Sequence, residues 1–186
     1  MRIIAGEWRG RRLAALGKGD AGAHLRPTTD RVRESLFSML AGGRFADPIT
    51  GARVLDLFAG TGALGLEALS RGAAEALFVD DGRVAGRLLH DNIRALGATD
   101  RATLVSRDAT RLGACPGAPN TLVFCDPPYT KGLGEKALAA ALAGGWIAPG
   151  ALVVWEESAD VSPPDGLALL DQRRYGDSVI YILEAS

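Results

Sequence analysis

Cysteine and histidine are scarce. The 186 residues contain two cysteines, Cys115 and Cys125, and two histidines, His24 and His90. Two cysteines cannot frame a disulfide scaffold, and they fit a reducing compartment. No Cys/His group has the spacing of a zinc site, so no metal is expected. Long apolar runs are missing too, and nothing approaches the roughly 18 consecutive apolar residues of a membrane span. Residues 1–7 lack the apolar stretch of a secretory signal, so a cytoplasmic protein without membrane attachment is expected. There is no internal repeat and no low-complexity tract. What is present is the balance of a folded, soluble chain, 47% hydrophobic and 23% charged. The length suits one α/β domain with a short appendage.

The net charge of −1 is unevenly spread. Residues 1–33 hold eight bases (Arg2, Arg9, Arg11, Arg12, Lys18, Arg26, Arg31 and Arg33) against three acids, whereas residues 34–186 hold 13 bases against 19 acids. The division expected is a basic arm at 1–28 on a body at 29–186. Such an arm suits a polyanionic partner; a solvated basic tail is the plainer alternative.

Residues 2–5 and 10–13 can pair as a short hairpin, and the Gly- and Ala-rich stretch 14–28 reads as a loop. Thr28-Thr29-Asp30 offers a helix cap, and Val32, Leu36, Met39 and Leu40 follow at helical spacing up to Gly42-Gly43. From residue 53 onward, apolar strand-like runs alternate with helical segments. Strands are expected at 53–58, 76–79, 102–105, 121–125 and 151–155, and helices at 63–71, 84–96 and 133–143. Segments 167–174 and 178–183, joined by Tyr175-Gly176-Asp177, predict an antiparallel hairpin. The order implies an α/β doubly wound sheet of seven strands, mostly parallel, with a terminal antiparallel hairpin. Sheets of this kind bind ligands beyond the carboxyl ends of the strands, where strand order reverses.

Gly60-Thr61-Gly62-Ala63-Leu64-Gly65 is a G-x-G-x-x-G between an expected strand and helix, and Asp80 lies 20 residues after Gly60 at the end of the second strand. Glycines allow a tight turn and a close ligand, and an acid at Asp80 can bond the ribose hydroxyls of an adenosine cofactor. No Lys-Ser/Thr follows, which excludes a phosphate-gripping P-loop. Asp56 weighs between NAD and S-adenosylmethionine. An anion near the turn opposes a pyrophosphate and suits an ammonium and a sulfonium. Asp56 can equally be a hydrogen-bonded structural acid, and the turn can be one that binds nothing.

Asp126-Pro127-Pro128-Tyr129 directly follows the fourth strand. The prolines stiffen the chain and carry no N–H, so carbonyls there remain free acceptors. Asp126 and the Pro127 carbonyl can bond both hydrogens of a nucleobase amine, and Tyr129 offers a stacking face. They would favour a pyramidal nitrogen, its lone pair free for an in-line methyl transfer governed by positioning and electrostatics. The plain alternative is a strand-ending Pro-Pro turn. Asp108, just past the third strand, suits either an acceptor for the cofactor's adenine amine or a helix N-cap. Cys125 has no base near it in sequence and reads as a small core residue rather than the thiolate of a cytosine-C5 methyltransferase. His90 reads as helix surface, and Trp8, Trp146 and Trp155 as packing.

Residues 1–6 with 9–13, Arg26-Pro27-Thr28-Thr29-Asp30-Arg31-Val32-Arg33-Glu34-Ser35-Leu36-Phe37, residues 54–72 and Asp126-Pro127-Pro128-Tyr129 together resemble the bacterial RsmD family. The resemblance spans nearly the whole chain. The glycine turn and Asp-Pro-Pro-Tyr are shared with other DNA and RNA amino-methyltransferases; the Arg-Pro-Thr-Thr-Asp-Arg-Val-Arg-Glu stretch is the specific part. The resemblance implies a Rossmann-like class I methyltransferase fold and transfer of methyl groups from S-adenosylmethionine to the N2 of a guanine in 16S rRNA. Its substrate would be a partly assembled small ribosomal subunit. It implies that Asp56, Phe58, Gly60, Gly62, Asp80, Asp81 and Asp108 face the cofactor, and that Asp126, Pro127 and Tyr129 hold the guanine. Arg9, Arg11, Arg12, Arg26, Thr28, Arg31 and Arg33 would contact RNA. Val79-Asp80-Asp81-Gly82 departs from the family, where Val-Glu is expected, so Asp81 can share the ribose role.

Other readings are a DNA adenine-N6 or cytosine-N4 methyltransferase, a non-enzymatic rRNA-binding assembly factor, and an NAD(P) dehydrogenase. The chain has no evident target-recognition domain for DNA. An intact Asp126–Tyr129 corner argues against a dead site, and Asp56 and the Pro-Pro corner argue against NAD. A monomer is expected.

Overall fold

The structure is a computed structural model that describes residues 1–15, 30–128, 132–158 and 160–186. Arg26, Thr28 and Tyr129 lie outside the described residues, as do most of the expected loop and the threonines of the expected cap.

Seven strands form one sheet: β1 (Arg53–Leu57), β2 (Glu75–Val79), β3 (Ala102–Val105), β4 (Asn120–Cys125), β5 (Ile147–Glu157), β6 (Leu167–Tyr175) and β7 (Ser178–Ala185). Their spatial order is β3-β2-β1-β4-β5-β7-β6. The first five are parallel, and β7 pairs antiparallel with both β5 and β6. The helices are α1 (Asp30–Ala41), α2 (Ala63–Ser70), α3 (Arg83–Leu96) and α4 (Leu133–Ala143). This is the layout expected from the alternation of apolar runs. The strand that differs most is β5, which begins at Ile147 and not at 151. It runs through exposed Pro149 and Gly150 beside an irregularity in the β4 ladder between Asn120 and Leu122. Pro and Gly are tolerated where pairing is interrupted in this way.

The central strands are apolar on both faces because both faces are covered. Val54, Phe124 and Val154 pack with Leu36, Phe37, Leu40, Leu66, Leu69, Leu89 and Ile93 from α1, α2 and α3. Leu55, Leu57, Val123 and Val153 pack on the other face with Leu138 of α4 and with Trp146 and Trp155. The basic arm belongs to the first of these cores. Arg2 and Arg12 form an antiparallel bridge, the Ile3 N–H donates to the Arg11 carbonyl at 2.9 Å, and Ile3, Trp8 and Leu13 are buried. Each such side chain contributes about 1.5–3 kcal/mol when fully buried, so the arm is held by apolar packing while its arginines point outward.

Polar groups on α2 fix the arm's register. The fully buried Glu67 carboxylate accepts the N–H groups of Ile4 (2.8 Å) and Ala5 (3.1 Å) and pairs with Arg71 at 2.7 Å. The Ser70 hydroxyl accepts the Trp8 N–H at 3.0 Å and donates to the Ala5 carbonyl at 2.6 Å. Among the described residues, no helix is long and apolar enough to cross a membrane.

Candidate active site

Strand order reverses at β1, which lies between β2 and β4. Leu57, the last residue of β1, stands opposite Val79 on one side and Cys125 on the other. The residues that follow these three ends, Phe58, Asp80 and Asp126, therefore gather at one edge of the sheet. The glycine turn and the Asp-Pro-Pro corner, 66 residues apart from Gly60 to Asp126, are brought together there.

The turn is held from below and from the side. Phe58 has φ +59°, a conformation that costs a non-glycine residue about 1–3 kcal/mol and persists only when its surroundings impose it. Here the Ala59 N–H donates to the Val79 carbonyl at 3.0 Å. Gly62 enters α2 at φ +78°, where a side chain would collide with Leu89, and a side chain at Gly65 would collide with the Phe78 ring. The two glycines let the first turn of α2 lie flush on the sheet. Beneath it the Asp56 carboxylate accepts the Gly65 N–H at 2.9 Å.

Asp56 is 2% exposed. Burial pushes its carboxyl up to about 8, and the charge of Asp80 adds to the rise while the Gly65 N–H opposes it. Among the described residues no cation pairs with it. A buried acid with one N–H partner and no counter-charge suits a cationic ligand, which would restore the anionic form. Asp80 is half-buried. Its Oδ2 accepts the Gly60 N–H and its Oδ1 the Gly82 N–H, both at 2.8 Å. Burial raises its pKa against these two bonds. Each oxygen keeps a lone pair for a hydroxyl donor, so the shorter acid binds the turn without exhausting its acceptors. Asp81 is exposed beside it. Asp108 caps the short 3-10 turn Ala109–Arg111, accepting the Thr110 N–H at 2.8 Å and its hydroxyl at 2.7 Å. Those bonds hold its carboxyl below the usual range. Among the described residues the groups around the turn are thus carboxylate acceptors, without a phosphate-binding lysine, and they fit a cofactor bearing hydroxyls and positive charge.

At the neighbouring strand end the Asp126 N–H reaches the Leu57 carbonyl at 3.5 Å, and Pro127 is buried. Cys125, 1% exposed, has a thiol pushed well above its ordinary value by burial and then by Asp126, Glu157 and Asp56. It is a core residue and not a thiolate. Glu156 and Glu157, which sequence reasoning missed, are buried beside this corner. They follow Trp155, the register partner of Cys125, and burial raises the Glu157 carboxyl. Their signal was a pair of acids closing an apolar run, Val153-Val154-Trp155.

Arg9, Arg11 and Arg12 on the arm and Arg31 on α1 are exposed, as an RNA-contacting role requires. Arg33 is a correction. It is fully buried, and its Nη2 donates to the Arg2 carbonyl and, at 2.9 Å, to Asp30. Burial lowers its pKa, with Asp30 and Glu67 countering. Arg33 falls in the stripe Arg33, Leu36, Phe37, Leu40 that α1 buries, so the helical face decides its direction and it ties the arm to α1. His90 is exposed and Trp8, Trp146 and Trp155 are buried, as expected. Among the described residues, no group of three or more His, Cys, Asp and Glu is placed to hold a metal ion.

Residues 1–184 match the family described as Conserved hypothetical protein 95. The chain belongs to this family. It is 42% identical over 164 residues to the ribosomal RNA small subunit methyltransferase D of Escherichia coli, covering 88% of this chain and 78% of that protein. The solved structure of yhhF from Escherichia coli has a TM-score of 0.85 at 38% identity, over 100% of this chain and 98% of that one. The magnesium protoporphyrin IX methyltransferase of Synechocystis, whose structure contains bound SAM, shares the fold alone. It is 15% identical with a TM-score of 0.62 over 84% of this chain and 79% of that one. The resemblance to the RsmD family and the class I methyltransferase fold it implied are both borne out.

Proposed function

We infer that this protein transfers a methyl group from S-adenosylmethionine to the exocyclic N2 amine of a guanine in 16S rRNA, acting in the cytoplasm as a monomer on the small subunit or its assembly intermediate. That it is an rRNA methyltransferase follows from its family and its 42% identity to the Escherichia coli enzyme. The finer reading is carried by one observation: the Asp126-Pro127 corner and the carboxylate-lined glycine turn end adjacent parallel strands, with Leu57 opposite Cys125.

S-adenosylmethionine, when bound, supplies a methyl group made electrophilic by its sulfonium. Asp56 and Asp80 provide counter-charge and acceptors for its ammonium and ribose, and Asp108 can accept from its adenine amine. The Asp126 carboxylate and the Pro127 carbonyl accept the two N–H groups of the guanine amine, which favours a pyramidal nitrogen with a free lone pair. Asp126 would also take the proton that the nitrogen sheds. Tyr129 would stack on the base once it is splayed from its helix. Arg9, Arg11, Arg12 and Arg31, with Arg26 and Thr28, would contact the RNA, the arginines through its phosphates. Arg33 is withdrawn from that set because it is buried.

The test is to incubate the protein with labelled S-adenosylmethionine and, separately, small subunits lacking native modification, naked 16S rRNA and duplex DNA, then identify the nucleoside by mass spectrometry. N2-methylguanosine from subunits is expected. A methylated adenine or cytosine from DNA would keep the chemistry and overturn the substrate.

A further inference from the structure

Asn92 lies in α3 at 2% exposure, on a helix face otherwise occupied by Ala85, Leu89, Ile93 and Leu96. A buried amide needs partners, and each partner it finds is informative. Its Oδ1 accepts the Ala14 N–H at 2.7 Å, and its Nδ2 donates to the Ala14 carbonyl at 3.2 Å. The side chain therefore pairs with one residue of the arm as a neighbouring strand would. The second hydrogen of Nδ2 goes elsewhere, to the Thr61 carbonyl at 2.9 Å, in the middle of the glycine turn. One side chain thus joins the basic arm, just past its hairpin, to the turn that Asp80 grips from its other side through the Gly60 N–H.

We propose that Asn92 is a positioning residue that couples the RNA-binding arm to the cofactor turn, so that RNA and cofactor bind cooperatively. This rests on the function inferred above. The physical basis is that no other group of this size supplies the same set. Three bonds require one acceptor and two donors from a planar amide. An aspartate there could keep the Ala14 N–H but would set a carboxylate against two carbonyls. RNA bound to the arm restrains Ala14 further, and through Asn92 it holds Thr61 and so the turn. Linkage makes the effect reciprocal, and couplings of this kind typically amount to roughly 5–150-fold in affinity.

The test measures the affinity of S-adenosylhomocysteine for the protein alone and for the protein saturated with unmodified small subunits, by equilibrium dialysis with labelled ligand. The wild type is expected to bind it at least about fivefold more tightly in the presence of subunits. In Asn92→Asp that factor is expected to fall to near one. Ala14→Pro provides a second route: it removes the N–H that Asn92 accepts, leaves the Asn92–Thr61 bond intact, and should lower the coupling while sparing affinity for S-adenosylhomocysteine alone. A purely structural role would lower both affinities and leave their ratio unchanged. An unchanged ratio in both variants, or a wild type that binds subunits without any coupling, overturns the proposal. A wild type that does not bind subunits at all would instead remove the functional reading beneath it, and the proposal with it.

Discussion

The two halves of the candidate site are built on different plans. On the glycine-turn side three acids are engaged with the fold: Asp56 with Gly65, Asp80 with Gly60 and Gly82, Asp108 with Thr110. At the target end Asp126 follows β4 with its N–H directed at Leu57, and two prolines remove further donors from the chain. The contrast teaches which acids carry two tasks. Under the proposed function a carboxylate that shapes the turn would also present lone pairs to the cofactor, so its loss should alter stability and affinity together. Asp126 stands instead beside the two prolines that the proposed function turns toward the target amine, so its loss should fall on the rate.

The largest effect is expected at the target end. Asp126→Ala should lower methyl transfer by at least about a hundredfold, the scale of removing a positioned group that stabilises the transition state, while calorimetry finds cofactor affinity nearly unchanged. A parallel loss of affinity would erase the distinction between the two ends. Next, Asp80→Ala should weaken cofactor binding by about tenfold to a hundredfold, as expected for lost hydrogen bonds to a charged acceptor, and also lower the melting temperature, because two bonds that hold the loop go with it. Unchanged affinity would move the ribose contact to Asp81.

Asp56 sharpens the comparison through pH. Its carboxyl rises from 3.8 in the unfolded chain to about 8 in the folded one. The folded state therefore holds a proton that the unfolded state has already lost. The stability this group contributes is full below 3.8 and is lost as pH climbs to about 8. In Asp56→Asn the amide can still accept the Gly65 N–H through its oxygen, so the melting temperature should fall less steeply over that window. A cationic cofactor should also bind more tightly to the wild type as pH rises toward 8, and Asn should abolish that dependence. Identical pH profiles for the two proteins would show that Asp56 does not titrate in this range. The smallest effect concerns the arm: Arg11→Ala should reduce subunit affinity only a few-fold and flatten its salt dependence by about one phosphate contact. Affinity that is flat with salt in the wild type would remove the arm from the interface.

Much of this was legible before any coordinates. Strict alternation of apolar runs and helical segments marked the sheet, because central strands covered on both faces cannot hide among polar residues. The glycine turn and Asp126 could be assigned to one edge because parallel strands all end there. The arm was harder. The resemblance put Arg33 among the RNA contacts, yet side-chain direction depends on helical phase, and Arg33 shares the phase of Leu36, Phe37 and Leu40. The anchors Glu67, Ser70 and Asn92 were missed for a related reason. Their partners are backbone groups 31 to 78 residues away, which no local pattern reveals. A trace was present, though: Glu67 and Ser70 stand three apart on an otherwise apolar α2, the spacing that points two side chains to one side. Asp30, expected at the positive end of the helix, is the acidic residue of its first turn and pairs there with Arg33.

The most direct test of the account is made in cells. The 16S rRNA of a strain from which the gene is deleted should be digested and its N2-methylguanosine counted, with the gene restored as wild type or as Asp126→Ala. The account predicts that deletion removes one N2-methylguanosine, that the wild type restores it and that Asp126→Ala does not. An unchanged N2-methylguanosine content after deletion, or full restoration by Asp126→Ala, would contradict it.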